Sequence, residues 1–277
     1  MSNSQGTTPK TIVITGSGRG IGLATATILA SRGHRLIMSD IDGDLAGQEA
    51  EKLSTRAAGF GLDVTNRDAF REHLEMVESE FGPIDVLVNN AGIAPASPNI
   101  LEQDPAMTDR TIDINLKGVM NGTIEAIRLM LPRGRGQVVN IASLAGITGV
   151  AGLAAYSASK FGVVGFTESV RSEFYDSGLK FTCVMPGPVS TGMMDGTSSS
   201  PVVSMLSPEE MAAGIAGAIE SGKPRVSLPH SSYVLSRLIS ILPPGVGIKV
   251  SKWTRIDKIY THITPGARDE YEKRISR

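Results

Sequence analysis

The sequence predicts an α/β fold: a doubly wound, seven-stranded parallel sheet with helices on both faces. Three observations carry that expectation. Short β-branched, near-continuous apolar runs alternate with helical patterns, as they do where a parallel sheet is covered on both sides. The 277 residues are 41% hydrophobic and 20% charged, with a formal net charge of −1; such a chain is too apolar for disorder and long enough to bury a sizeable core. The 31 glycines exceed the ~7% of average proteins. They sit between periodic segments, where backbone has to come close to something.

Taken in order, the strands are expected at 11–15, 35–38, 58–62, 86–88, 137–141, 181–184 and 225–228. A helix over 23–31 follows a glycine-rich turn. Thr65 is expected to cap a helix carrying Phe70, Leu74, Val77 and Phe81 on one face, stopped by Gly82-Pro83. Ser207-Pro208-Glu209-Glu210 is a capping box with proline at the first helical position. The division expected is a flexible N-terminus over 1–9, one doubly wound α/β domain over 10–230 and a helical C-terminal extension over 231–277. In that extension Tyr233, Val234, Leu235, Leu238, Ile239, Ile241 and Leu242 precede Pro243-Pro244-Gly245, and Arg237 with the proline pair makes a poor membrane span. Residues 249–277 are rich in Lys and Arg. Two readings stand for this segment: a helix packed on the domain or a neighbouring subunit, or an interfacial helix whose apolar face meets lipid.

Several function classes are excluded or disfavoured. Near-zero charge gives no electrostatic footprint for nucleic acid, and the four His are scattered, so no metal site is expected. Cys183 is the only cysteine, which removes an intrachain disulfide and a Cys-rich zinc site. The polar residues 1–10 lack the apolar core of a signal peptide. A cytoplasmic setting is the default, with membrane association through the tail left open.

The chemistry begins where the first strand runs into Thr15-Gly16-Ser17-Gly18-Arg19-Gly20-Ile21-Gly22. Small residues there let a pyrophosphate approach a helix N-terminus, whose free N–H groups and dipole favour negative charge; an ordinary flexible turn looks similar. Asp40 ends the second strand, where a carboxylate can hold the adenosine-ribose hydroxyls and repel a 2′-phosphate; the alternative is a helix cap. NAD is therefore expected over NADP, although Arg19 could pair with a phosphate. Tyr156 and Lys160 lie four apart, on one helix face, among the small residues Ala154, Ala155, Ser157, Ala158 and Ser159. Ser143 follows the strand at 137–141, at the sheet edge where ligands bind in open α/β folds. A neighbouring ammonium and an oxidised nicotinamide would favour the Tyr156 phenolate, making it a working acid/base, while Ser143 hydrogen-bonds the substrate oxygen.

From about Lys10 to Leu228 the chain resembles the short-chain dehydrogenase/reductase superfamily, compact single-domain branch. The motifs are TGSGRGIG at 15–22, strand-end Asp40, Leu62-Asp63-Val64, NNAG at 89–92, Asn115, Ser143, Tyr156 with Lys160, and PGPVST at 186–191. The resemblance implies a Rossmann-like fold and the following roles. Gly16, Gly20 and Gly22, in the turn with Ser17, Arg19 and Ile21, admit the pyrophosphate. Asp63 and Val64 contact the adenine. Asn90, Ala91 and Gly92 line the cofactor floor. Lys160 binds the nicotinamide ribose and lowers the Tyr156 pKa, and Asn115 holds a water linking Lys160 to solvent. Pro186 and Gly187 approach the cofactor, and Val189 and Thr191 contact its carboxamide. It also implies a homodimer or homotetramer paired through long helices at 112–131 and 153–175.

Residues 192–206 read as a substrate lid in which Met193, Met194 and Met205 offer adaptable apolar surface. With Ala94, Pro95, Ile147 and Val150 flanking the pocket, a small hydrophobic substrate is expected: a secondary alcohol or ketone resembling a steroid, retinoid or lipid. Two further readings stand beside it: an NADPH-dependent carbonyl or β-ketoacyl reductase, motivated by Arg19, and a catalytically idle NAD-sensing scaffold.

Overall fold

A computed structural model describes residues 8–276 apart from 54, 55, 199, 201, 202 and 265. The expectation for residues 1–7, and that for Pro201 and Val202 of the lid, lie outside the described residues.

Among the described residues, seven strands form one parallel sheet. They are β1 (Thr11–Thr15), β2 (Arg35–Asp40), β3 (Ala57–Gly61), β4 (Val86–Asn89), β5 (Gly136–Ile141), β6 (Leu179–Pro186) and β7 (Arg225–Leu228). Their order across the sheet is β3-β2-β1-β4-β5-β6-β7. The chain winds outward from β1 through β2 to β3, then crosses back to β4 on the other side. The strand order reverses between β1 and β4, and a crevice opens at their carboxyl ends.

All of β1 is buried, and its residues alternate between two cores. Ile12 and Ile14 pack with Ala26, Leu29, Ala50, Ile215 and Ile219, from α1 (Gly20–Ser31), α2 (Gly43–Leu53) and α7 (Pro208–Ser221). Val13 faces Phe70, Leu74, Val77, Ile127 and Val170, from α3 (Arg67–Phe81), α5 (Gly118–Met130) and α6 (Ala154–Glu173). The period-2 geometry of a strand sends successive side chains to opposite faces, which is why these strands read as unbroken apolar runs.

Three expectations are corrected. Asn66, not Thr65, caps α3: its side-chain oxygen accepts the Ala69 N–H at 3.1 Å, while the Thr65 hydroxyl donates to Asp63 at 2.7 Å. The helix expected over 112–131 starts earlier, as α4 (Pro105–Ile112), and is interrupted by one wide π turn, Asp113–Lys117, before α5. Strand β6 is longer at both ends than its apolar run. The Ser207 capping box is present, with Glu210 N–H to Ser207 Oγ at 3.1 Å and Ser207 N–H to the Glu210 carboxylate at 2.8 Å.

The tail forms α8 (His230–Ile241), α9 (Pro244–Trp253) and α10 (Asp269–Ile275). No helix among the described residues is long and apolar enough to cross a membrane.

Near the buried carboxyl end of β2, His73 Nε2 lies 2.8 Å from Ser39 Oγ, with Phe60 edge-on at 5.6 Å. Burial pushes the imidazole down from 6.5 to about 4. Between those values the unfolded chain binds a proton that the folded chain refuses, so this contribution is complete above 6.5 and lost as pH falls through 4. Urea unfolding at pH 7 and pH 4 is expected to show the wild type losing about 2–3 kcal/mol more than His73→Gln across that interval. Equal losses in the two proteins would refute this.

Candidate functional site

The crevice at the carboxyl ends of the strands is a cavity of about 1750 Å³. One wall is the turn after β1. Gly16 sits at φ +63°, and a Cβ on it would stand 2.7 Å from Ala91 Cα, so only glycine fits. Gly20 opens α1, and the N-cap Arg19 makes no side-chain capping bond, leaving the first N–H groups of the helix facing the cavity. Arg19 instead leans toward Asp42, 3.7 Å away.

Asp40 lines the same wall. Its carboxylate accepts the Gly18 N–H at 2.9 Å and the Asp42 N–H at 3.2 Å, so it braces the glycine turn. The neighbouring helix cap is Asp42, which accepts the Leu45 N–H at 3.1 Å. Asn90 stitches the turn to the loop after β4. Its side-chain amide donates to Thr15 O at 3.0 Å and Gly16 O at 2.9 Å, and its N–H donates to Thr15 Oγ1 at 3.1 Å. Ile21, Asp63, Val64, Ala91, Gly92, Pro186, Gly187, Val189 and Thr191 also border the cavity.

Three residues of the expected set stand behind this wall. Ser17 is buried, with its Oγ donating to Ser39 O at 3.3 Å. Gly22 does not open toward a phosphate: a Cβ there would meet Gly16 O at 2.3 Å, so it lets α1 press onto the end of β1. Asn115 is fully buried in the π turn. It accepts the Ile93 N–H at 2.8 Å and donates to Ile93 O at 2.8 Å and to Ser159 Oγ at 3.2 Å. A Cβ on Gly92 would stand 3.2 Å from Asn115 Oδ1 and 3.6 Å from Lys160 Nζ, so both groups meet across that glycine.

At the other end, β5 releases the chain at Ile141, and Ser143 caps a single tight turn, Leu144–Gly146, by accepting the Ala145 N–H at 3.1 Å. Tyr156 lies in the first turn of α6 and Lys160 one turn later. The Lys160 ammonium donates to Ile141 O at 2.8 Å and lies 5.6 Å from the Tyr156 ring centroid. Burial pushes Lys160 down to about 8. Burial also pushes the Tyr156 phenol up to about 12, against a hydrogen bond from Ser143 that lowers it and the nearby Tyr271, which raises it further. The protein's own groups thus move the phenol opposite to the expected direction, because desolvation of the phenolate outweighs the local donors.

The tail completes the cavity, and nothing local in the sequence signals it. Arg268 is 2% exposed. It donates to Met193 O at 2.9 Å and Ala94 O at 2.8 Å and lies over the Tyr271 ring at 4.8 Å. The Tyr271 hydroxyl accepts the Ala94 N–H at 2.7 Å, and Tyr260 donates to Met194 Sδ at 3.0 Å. Ala94, Val150, Met193 and Met194 border the cavity as expected; Pro95 and Ile147 do not, and Met205 is 50% exposed. Thr15, below the turn, was also not anticipated; its hydroxyl accepts the N–H groups of both Asn90 and Ala91 at 3.1 Å. Replacing Arg268 by Met leaves two inward carbonyls without that donor and is expected to cost about 2–3 kcal/mol in chemical unfolding. A loss below ~0.5 kcal/mol, the range of a surface substitution, would show that the clamp contributes nothing.

Comparison with known proteins agrees with this geometry. A family profile described as short chain dehydrogenase matches residues 10–201, ending before the tail. A cis-4-hydroxycyclohexanecarboxylate dehydrogenase of Sinomonas cyclohexanicum is 34% identical over 74% of the chain and 86% of that protein. The 3-oxoacyl-acyl-carrier-protein reductase FabG of Thermotoga maritima is 35% identical over 84% of the chain and 96% of its own length. A 3beta-hydroxysteroid dehydrogenase 2 of Eggerthella lenta is 33% identical over 82% and 88%, respectively. The seven-stranded sheet, its glycine-rich switch point and these matches together make the chain a member of the short-chain dehydrogenase family, an NAD(P)-dependent oxidoreductase acting on CH–OH and C=O groups.

Proposed function

We propose that the cleft takes NAD(H) in preference to NADP(H) and oxidises a hydrophobic secondary alcohol, or reduces the matching ketone, with Tyr156 as general acid/base. The observation that carries this reading is the meeting of Ser143, Tyr156 and Lys160 in the same cavity as the Gly16–Gly20 turn and Asp40. The residues fit a dinucleotide. The left-handed Gly16, the uncapped start of α1 and Gly20 suit a pyrophosphate. Asp63 and Val64 would flank the adenine, Asn90 and Gly92 the floor, and Val189 and Thr191 the carboxamide. Asp40 spends one carboxylate oxygen on Gly18 and one on Asp42, and its remaining lone pairs can accept ribose hydroxyls. Arg19 leans on Asp42, which weakens the case for a 2′-phosphate and for the NADPH alternative.

When bound, the nicotinamide supplies or accepts the hydride. Tyr156 takes the proton of the alcohol, or returns one to the carbonyl oxygen. Ser143, already bonded to the phenol, donates to the same oxygen as charge develops on it. Lys160 holds ribose hydroxyls and keeps its positive charge below about pH 8, favouring the phenolate. Asn115, fixed on Ile93, backs Lys160 as the start of a proton path. Val150, Leu153, Met194 and Ile259 give the substrate end an apolar wall, consistent with relatives named for a hydroxysteroid and a hydroxycyclohexane compound.

Tyr156→Phe is expected to lower kcat by at least a hundredfold, the low end of general acid/base contributions, while NADH binding followed by fluorescence stays within about twofold. Unchanged turnover on a panel of secondary alcohols would sink the assignment of Tyr156. Wild-type protein is expected to bind NADH more tightly than NADPH; the reverse order would remove the Asp40 argument.

Two assembly readings follow from exposed apolar residues. Pairing of copies through α5 and α6 is the family-based expectation, and α6 leaves Phe161 45% exposed. Leu238, Ile241, Ile248 and Trp253 stand 54–83% exposed on α8 and α9, beside Lys249 and Lys252, which supports a peripheral lipid contact. Sedimentation with and without vesicles of anionic phospholipid tests both: dimers or tetramers are expected alone, and co-sedimentation with vesicles. A monomer that stays in the supernatant would rule out both.

A further inference from the structure

The tail lies beyond the segment matched by the family profile, yet its last helix enters the nucleotide end of the cleft. Tyr271 and Ile275 of α10 are buried against Ile93 and Met193, so this helix is held to the domain. The arginine between them, Arg274, is exposed along its stem and lies over the Tyr271 ring at 5.2 Å. Its guanidinium borders the same cavity as Gly16 and Gly20. Arg274 Nη2 stands 3.7 Å from the position a Cβ on Gly192 would take. Gly192 follows Thr191, whose methyl is 3.5 Å from the corresponding point on Gly20. The Asp195 carboxylate lies 3.5 Å from that same point on Gly192, so the start of α1, Thr191, Asp195 and Arg274 meet at one corner of the cavity.

Among the described residues Arg274 makes no ion pair, whereas Arg268 of the same strap donates to two backbone carbonyls and lies 3.8 Å from the Glu272 carboxylate. Arg19 borders the same cavity, and its charge, after burial, is the next largest influence lowering the Arg274 pKa; Tyr271, Asp40 and Asp195 act in the opposite sense. Two guanidinium groups that border one cavity repel each other, and an anion bound there would relieve that repulsion. A guanidinium offers paired donors that match two phosphate oxygens.

On the dinucleotide reading given above, we infer that Arg274 is a cofactor-binding residue that clamps the pyrophosphate from the side opposite the α1 N-terminus. The pyrophosphate is favoured over a 2′-phosphate because Arg274 reaches Gly192, beside the Thr191 that touches the start of α1, and the Asp40 carboxylate would repel a 2′-phosphate. The consequence is coupling: nucleotide bound under Arg274 holds α10 down, and α10 carries Tyr271 over the substrate end. Cofactor occupancy thus helps to build the substrate wall.

The test uses the full chain and direct binding. NADH and ADP-ribose, with NADPH as the comparison ligand, are titrated into wild type, Arg274→Gln and Arg274→Lys, by nicotinamide fluorescence and calorimetry. Arg274→Gln is expected to weaken both ligands roughly tenfold, the effect of one charge-assisted contact, with Arg274→Lys recovering part of the loss. Thermal midpoints without nucleotide are expected to be alike, because the side chain is exposed. NADH is also expected to slow proteolysis after residue 254 in wild type and less so in Arg274→Gln. Equal nucleotide affinity in wild type and Arg274→Gln overturns the inference. So does a loss confined to NADPH, which would assign Arg274 to the 2′-phosphate. Wild-type protein that binds neither NADH nor NADPH overturns the dinucleotide reading itself, which separates the two failures.

Discussion

The cleft depends on how closely the turn after β1 approaches the loop after β4. Gly16 and Ala91 are so near that a single methyl group would not fit between them. Asn90 converts that proximity into a joint, since its amide serves the carbonyls of both Thr15 and Gly16. Thr15 answers with one hydroxyl that takes the N–H groups of Asn90 and Ala91. Neighbouring parallel strands whose connections diverge would otherwise leave these backbone groups facing an open crevice, unpaired. The joint satisfies them and frees the opposite side of the turn, where Gly20 and the start of α1 present unpaired N–H groups.

Beneath the joint lies a second constraint, a buried polar column between the central strands. Asn89 donates to Asn140 at 2.8 Å, and Asn140 donates to Thr167 of α6 at 3.0 Å. Thr123 of α5 joins both asparagines. Such groups are costly inside a core unless bonded to one another, and these bonds, which among the described residues leave only Asn89 Oδ1 of the column's acceptors without a donor, favour one arrangement. Here they tie β4 and β5 to α5 and α6. The same α6 holds Tyr156 and Lys160, and Lys160 then anchors on the end of β5 through Ile141. The spacing between the nucleotide wall and the Ser143–Tyr156 pair is thereby set by elements that cannot slide independently.

The tail adds a third layer that is absent from the matched family segment. Arg268 lies buried between the loop after β4 and the lid, and it holds two carbonyls from segments 99 residues apart in sequence. Its charge is tolerated because both carbonyls and the Tyr271 ring face it. Burial raises the Tyr156 phenol pKa in the protein's own environment, and the charge of the tail's Tyr271 raises it further.

The sheet was legible because each strand carries its information locally. β-branched runs, a capping box and a glycine turn are readable within ten residues, and all seven strands lie where such runs stand. The glycine turn, Asp40, Ser143, Tyr156 and Lys160 could be singled out for the same reason, since residue type and spacing state the chemistry directly. The failures were equally physical. Thr65 and Asn66 are both good caps, and only the direction of the chain after Asp63 decides between them. The π turn at 113–117 exists because the buried Asn115 side chain bonds across to the Ile93 backbone, a contact no helical periodicity encodes. Gly22 looked like a phosphate glycine by spacing but is a packing glycine by position. What the sequence determined by itself was the sheet, its switch point and the chemical groups placed along it. What only the tertiary structure decided was the direction of the Tyr156 pKa and the roof of the cleft. Both depend on how distant segments pack together, and desolvation belongs to the packed molecule rather than to any stretch of chain.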